Sequence, residues 1–309
     1  MIRFGIIGTG RDALDFYMAN RHNKDCEMTA VCGRNTEEAE TFAAGKQGME
    51  AMDGPDALAS RDDVEAVYIS GFADSHYDLC RKMLEGGKHV LCRTCLAGSP
   101  DETGALFDLA ERKGLILMEG TAVLYSRGYR EMKEHAGTLG KLRRAVLVSS
   151  VRPEEGTGAA ACAAAEPAAM LADLFGRPDR VRAAGTFAGS REKGAGTISL
   201  LYEELMADIL FSTLTDSRME SEIQGEDAVM LIGRLPNIKD LQIRRGSVKQ
   251  YLRYEQSDNL LRPETDAFLA AVKEGALAEG LKERSFITAR ILEEARGQME
   301  ESPDEDKEE

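Results

Sequence analysis

The sequence predicts an α/β domain with a parallel sheet over residues 1–120, then an α+β domain with a largely antiparallel open sheet covered by helices over 121–299. Three observations predict it. Short apolar runs alternate with helical patterns through the first 120 residues, as right-handed βαβ crossovers require. Eight strand-like runs follow, with few helices between the later ones, as in an antiparallel sheet. The chain has 309 residues, 43% hydrophobic and 30% charged, a globular composition spread over more chain than one core of about 150 residues uses.

Arg3–Gly8 reads as a short buried strand and runs into a helix that continues to about Asn20. Met28–Cys32, Ala66–Ser70, His89–Cys92 and Leu115–Glu119 are the further strands of the first domain. Glu37–Ala44, Ser75–Glu85 and Asp101–Lys113 are the helices between them. Ser99-Pro100-Asp101 opens its helix with Ser as N-cap and Pro at the first helical position. In the second domain the strands are Ala145–Val151, Val181–Phe187, Thr197–Tyr202, Ile209–Ser212, Glu220–Gln224, Ala228–Ile232, Leu241–Arg244 and Lys249–Tyr254. An Ala-rich helix over about Gly158–Leu174 and terminal helices at Glu264–Lys273 and Ser285–Met299 would cover a face of this antiparallel sheet, with the terminal helix able to return to the first domain. Residues 300–309 (EESPDEDKEE) carry seven acids, one Lys and nothing to bury, so they read as a disordered, solvated acidic tail.

Net charge is −15. Phosphate backbones and anionic lipid would repel such a chain, so nucleic-acid and membrane-surface partners are not expected. No apolar run approaches the ~18 residues that span a bilayer, and MIRFGIIGTG is too short for a secretory core. The expected location is the cytoplasm. Six cysteines are too sparse for a disulfide scaffold.

Gly8-Thr9-Gly10-Arg11-Asp12-Ala13 is G-x-G-x-x-A, placed between a buried strand and a helix. Gly8 would make the tight turn, and Gly10 would let a pyrophosphate approach free N–H donors at the helix start. Ala13 still permits close helix–strand packing. The pattern therefore predicts dinucleotide binding. The second strand ends in Gly33-Arg34, with no carboxylate to hold a ribose 2′-OH. An Arg there can pair with a 2′-phosphate, which favours NADP over NAD.

FGIIGTG, AVCGRNTEEAETFA, VEAVYIS, GGKHVLC, ERKGLILMEG and LFGRP, in this order and spacing, resemble the glucose–fructose oxidoreductase/inositol dehydrogenase (Gfo/Idh/MocA) family. The resemblance implies an NAD(P)-binding Rossmann domain, an open antiparallel sheet domain, and a cleft in which a sugar, cyclitol or related hydroxyl compound is oxidised or reduced. It adds Arg93, Gly71, Phe72 and His76 to Gly8, Thr9, Gly10, Arg11, Asp12, Gly33 and Arg34 as cofactor-binding candidates. The departures lie in the chemistry. Where the family has Glu-Lys-Pro this chain has Arg93-Thr94-Cys95, so Thr94 stands at the Lys position. Counting back from LFGRP, Cys162 and Glu166 stand where the family has Asp and then His or Tyr. The Thr-Pro-Asn turn is Gly71-Phe72-Ala73, with His76 kept.

Hydride transfer from an alcohol needs a group that takes the hydroxyl proton. Glu166, His76, Thr94 and Cys162 are the catalytic candidates. Three readings stay open: an oxidoreductase with an atypical site, acting on a sugar-like or other small hydroxyl or carbonyl compound, a non-catalytic dinucleotide-binding sensor or partner subunit, or a thiol-dependent activity. Cys92-Arg93-Thr94-Cys95 is a lone C-x-x-C with no second pair to complete a zinc set, so no metal is expected. His22, His89 and His135 read as structural or surface residues. A sheet covered on one face only predicts a homo-oligomer, dimer or tetramer, through the other.

Overall fold

A computed structural model describes residues 1–71, 75–150, 159–188 and 190–301, without the side chains of 159–162, 190–193 and 300–301. The expected tail lies mostly outside the described residues, and so does Phe72. The described chain forms two compact units. The first holds Met1–Tyr125 and Ser257–Ala289, the second Ser126–Gln256 and the segment from Arg290 on.

In the first unit the strands are β1 (Ile2–Ile7), β2 (Cys26–Cys32), β3 (Glu50–Ala51), β4 (Ala66–Ile69), β5 (His89–Arg93) and β6 (Leu117–Gly120). They form one parallel sheet in the order β3-β2-β1-β4-β5-β6. The order reverses between β1 and β4, which is where ligands of open α/β sheets bind. Helices α1 (Arg11–Asn20), α2 (Thr36–Ala43), α3 (Gly54–Ala59), α4 (His76–Glu85) and α5 (Pro100–Lys113) are the crossovers. β3 and α3 are elements the sequence pattern does not reveal, because each is too short to show a period. Strands buried on both faces read as continuous apolar runs. Accordingly Ala66, Val67, Tyr68 and Ile69 are all fully buried, alternately in two core clusters.

Helix α8 (Leu261–Glu274) completes the core on the side of α1. Phe268 meets Phe4 with ring centroids 5.7 Å apart, and Phe4 meets Phe16 at 5.6 Å. Buried Asn20 donates to Thr265 Oγ1 at 2.9 Å, and Asn259 to the Asp15 carbonyl at 2.8 Å. Phe286, from the start of α9 (Leu281–Glu301), stacks on Phe107 of α5.

The second unit carries eight strands: β7 (Leu142–Ser150), β8 (Arg180–Ala188), β9 (Ser190–Leu201), β10 (Met206–Ser212), β11 (Ser221–Gly225), β12 (Val229–Ile232), β13 (Leu241–Arg245) and β14 (Val248–Leu252). Their order is β14-β13-β12-β11-β7-β10-β9-β8. All neighbours are antiparallel except β7 and β10, which run parallel. Helix α6 (Arg127–Ala136) opens this unit, and helix α7 (Ala159–Phe175) packs on β7, β9 and β10. On one face Ile198, Ile209, Leu147, Ile223, Met230 and Ile243 are buried. On the other, Asp208 pairs with Arg144 at 2.9 Å and accepts from Ser199 Oγ at 2.6 Å. The amide of Gln298, late in α9, exchanges two hydrogen bonds with the backbone of β8 at Val181 and Ala183. This blunts the edge strand. No helix among the described residues is long and apolar enough to cross a membrane.

Candidate active site at the strand ends of the first unit

β1 ends in a turn that only glycine fits. Gly8 has φ +112°, and a Cβ there would lie 2.6 Å from Ser70 Oγ and 3.2 Å from Gly71 N. Gly8 N donates to the Cys32 carbonyl and Ser70 N to that of Ile7, so the ends of β1, β2 and β4 are stitched together. Gly10 then N-caps α1 with no side chain to accept from the first-turn amides, and a Cβ on it would meet nothing within 4 Å. Backbone amides at a helix start with open space before them suit a phosphate group. The residues present therefore fit a dinucleotide pyrophosphate. Of the neighbouring candidates, exposed Arg11 pairs with Asp15 at 2.9 Å, and Asp12 pairs instead with Arg93 at 2.6 Å.

At the end of β2 the structure supplies a carboxylate that sequence reasoning missed. Glu38 Oε2 lies 3.2 Å from Thr9 Oγ1 and 3.2 Å from Arg34 N, both donating to it. Gly33 makes room, since a Cβ there would sit 3.0 Å from Glu38 Cβ. Asn35 N-caps α2 by accepting from Glu38 N at 2.9 Å. The available signal was Asn-x-x-Glu at residues 35–38, a capping box that folds the N3 carboxylate back over the preceding turn.

At the end of β5, Thr94 is buried and its Oγ1 donates to Glu119 Oε1 of β6 at 2.7 Å. The same oxygen accepts from Leu96 N at 3.3 Å, and Thr94 N donates to the Gly120 carbonyl at 3.0 Å. Glu119 was also missed. Its signal is a lone acid in an apolar strand (LILMEG) at 4% exposure. Beside it the buried Glu264 of α8 lies over Gly120, where a Cβ would stand 3.3 Å from Glu264 Oε1.

His76 is buried at the first turn of α4. Its Nδ1 lies 2.7 Å from the Cys95 carbonyl oxygen and its Nε2 3.1 Å from that of Gly71. Both ring nitrogens thus face backbone acceptors, and the ring ties the loop after β4 to the loop after β5. A base needs an unshared lone pair aimed at substrate, so this geometry suits a positioning role better than proton abstraction.

Cys92 is fully buried and its thiol packs with that of Cys80 in the same core cluster. Burial pushes its ionisation well up, with the Cys80 contact adding to the effect. Cys95 is half-buried. The side chain of Cys162 lies outside the described residues. Glu166 is half-buried on α7, in the second unit. Among the described residues no group of three or more His, Cys, Asp or Glu side chains is placed to hold a metal.

Comparison with known proteins agrees with this architecture. The sequence profile of the Gfo/Idh/MocA family, described as an oxidoreductase family with an NAD-binding Rossmann fold, matches residues 2–121. The scyllo-inositol 2-dehydrogenase (NADP(+)) of Bacillus subtilis is 30% identical over 97% of this chain and 97% of its own. A dTDP-3,4-didehydro-2,6-dideoxy-alpha-D-glucose 3-reductase of Actinomadura kijaniata is 31% identical over 64% of this chain and 59% of its own. A 3-ketoreductase from that organism, crystallised with NADP and TDP-benzene, superposes with a TM-score of 0.86 at 23% identity, over 96% of this chain and 98% of the other. Likeness to the inositol dehydrogenase over nearly the whole length, with the family's nucleotide fold in the first unit, makes this chain a member of the Gfo/Idh/MocA family, an NAD(P)-dependent oxidoreductase.

Proposed function

We propose that this protein moves a hydride between NADP or NAD and a sugar-like or cyclitol hydroxyl or carbonyl compound, through a site rebuilt around Thr94. The carrying observation is the Thr94–Glu119 hydrogen bond at 2.7 Å, set where the family has its Lys. The full-length relative named as a scyllo-inositol dehydrogenase and the partial one named as a sugar-nucleotide ketoreductase support the substrate class.

The bound cofactor supplies the hydride acceptor or donor. Gly8, Gly10 and the start of α1 would hold its pyrophosphate, and Arg34 with Glu38 would face its adenosine ribose. Thr94 Oγ donates to Glu119, so its own lone pairs can accept the hydroxyl proton of a substrate. As the carbonyl forms, that proton moves to Thr94 and the Thr94 proton moves to the Glu119 carboxylate. In reduction the same two protons run backwards. Thr94 is then the catalytic residue, and Glu119 holds the proton behind it.

The test is a screen of inositols, aldoses, sugar acids and keto-sugars by NAD(P)H absorbance, with the wild type and the Glu119→Gln and Thr94→Val variants. Turnover of one substrate is expected, lowered ~10²-fold or more in both variants, because general acid–base catalysis contributes roughly 10²–10⁴-fold. Unchanged turnover in both variants would remove the Thr94–Glu119 reading. Retained cofactor with no turnover of any compound would favour a non-catalytic dinucleotide-binding role.

A further inference from the structure

We infer that the Glu38 carboxylate, reaching back from α2, is the residue that sets how this chain divides its affinity between NAD and NADP. The inference rests on the cofactor assignment above and deepens it.

The 2′-position of the adenosine ribose is read at the end of the second strand of such a sheet. There Glu38 Oε2 already takes two donors, Thr9 Oγ1 and Arg34 N, each at 3.2 Å. Gly33, by lacking a Cβ, lets the carboxylate lie against the turn. A ribose 2′-hydroxyl can donate to this carboxylate. A 2′-phosphate cannot. It brings two negative charges to the same donors and must displace Glu38 before it can use them. Exposed Arg34 attracts the phosphate from the same turn. The two side chains thus pull in opposite directions, and the arrangement admits both cofactors. Its selectivity is set by a charge on a helix rather than by an acid on the strand.

Glu38 also ties the turn before α2 together through Thr9 and Arg34 N, and a purely structural role must be separated from the charge. Glu38→Gln does so, because the amide oxygen can still accept from Thr9 and Arg34 N. Thr9→Val is the second variant. It removes one of the two anchors, leaves the charge, and lets the carboxylate swing out. Dissociation constants would be measured by calorimetry for NAD and NADP, and for 5′-AMP and 2′,5′-ADP as probes of the 2′-phosphate alone.

Removing one charge at hydrogen-bond range should tighten NADP and 2′,5′-ADP about tenfold and weaken NAD about threefold, while Glu38→Gln melts within a few degrees of wild type. Thr9→Val should tighten NADP by a smaller factor. An NADP-to-NAD ratio unchanged within twofold in Glu38→Gln overturns the inference while leaving the cofactor assignment intact. Should Glu38→Gln fail to fold, an unchanged ratio in Thr9→Val overturns it in the same way. Failure of wild type and both variants to bind either cofactor at millimolar concentration overturns the assignment and the inference together.

Discussion

Arg93 Nη1 lies 2.6 Å from Asp12 Oδ1, joining the last residue of β5 to the first turn of α1. An acid in that turn complements the helix dipole, but it also sits beside the place where a pyrophosphate binds. Arg93 neutralises it there. Arg93→Ala should therefore weaken NAD(P) binding about tenfold, as an uncompensated charge at this range would. Adding Asp12→Asn should restore most of the loss. Calorimetry on the double-mutant cycle checks it, and independent, additive losses would contradict it.

Gly10 separates binding from folding. Its φ is −76° and a Cβ there would meet nothing within 4 Å, so Gly10→Ala should fold, with Tm lowered by no more than ~4 °C. The added methyl would occupy the approach to the α1 amides, and NADP affinity should fall at least tenfold. Gly10→Asp should abolish binding. Calorimetry with thermal melts reads both.

The thiols predict a pH response. Burial pushes Cys26 and Cys32 up to about 12 from an ordinary 9.0. The folded state keeps their protons after the unfolded chain has released its own. Their contribution to stability is complete below about pH 9 and falls as pH rises toward 12. Denaturant midpoints should decline over that window, and Cys32→Ala should flatten the decline. At pH 8, iodoacetamide should modify Cys95 well before Cys26, Cys32 or Cys92, read by peptide mass spectrometry.

Ordinary polyol dehydrogenation should be slow, well under the ~10 s⁻¹ of a median enzyme, because no Lys stands at Thr94. Thr94→Lys combined with Cys95→Pro, Cys162→Asp and Glu166→His should raise it. Steady-state NAD(P)H absorbance on inositols is the measurement.

Self-association through the sheet of the second unit is expected at its face bearing Val146, Leu210, Val229 and Leu231, all half-buried in the chain alone. Leu231→Glu should give a ~34 kDa species by light scattering where the wild type gives a multiple of that mass. A wild type of ~34 kDa at micromolar concentration would refute it.

The parallel sheet and its turn were legible because every strand from β1 to β6 except β3 is a dense apolar run, and because Gly8 and Gly10 each meet a geometric demand. The parallel pairing of β7 with β10 was not, since apolar periodicity carries no strand direction. Nor does the helical pattern at Glu264–Lys273 say which sheet it covers. At the site, residue type could show that Lys was gone at Thr94. It could not show that Glu119 would lie 2.7 Å behind it, because that contact joins residues 25 apart through strand pairing. Glu38 was hidden for a related reason. The search for an acid looked at the strand, while the capping geometry of α2 brought one from the helix.

Phe268 and Thr265 belong to the core begun by Phe4, Phe16 and Asn20. During synthesis the sheet of the nucleotide-binding unit is made before the second unit's sheet, and its own closing helix α8 only after it. The intervening sheet can fold as a unit on the way. The core begun by β1 is therefore sealed only after that sheet has been made. Until then α1 is held by the sheet alone, through Phe16 on Phe4 and Tyr68, and its side toward α8 stays open, where a chaperone or, in a truncated product, a protease can reach it.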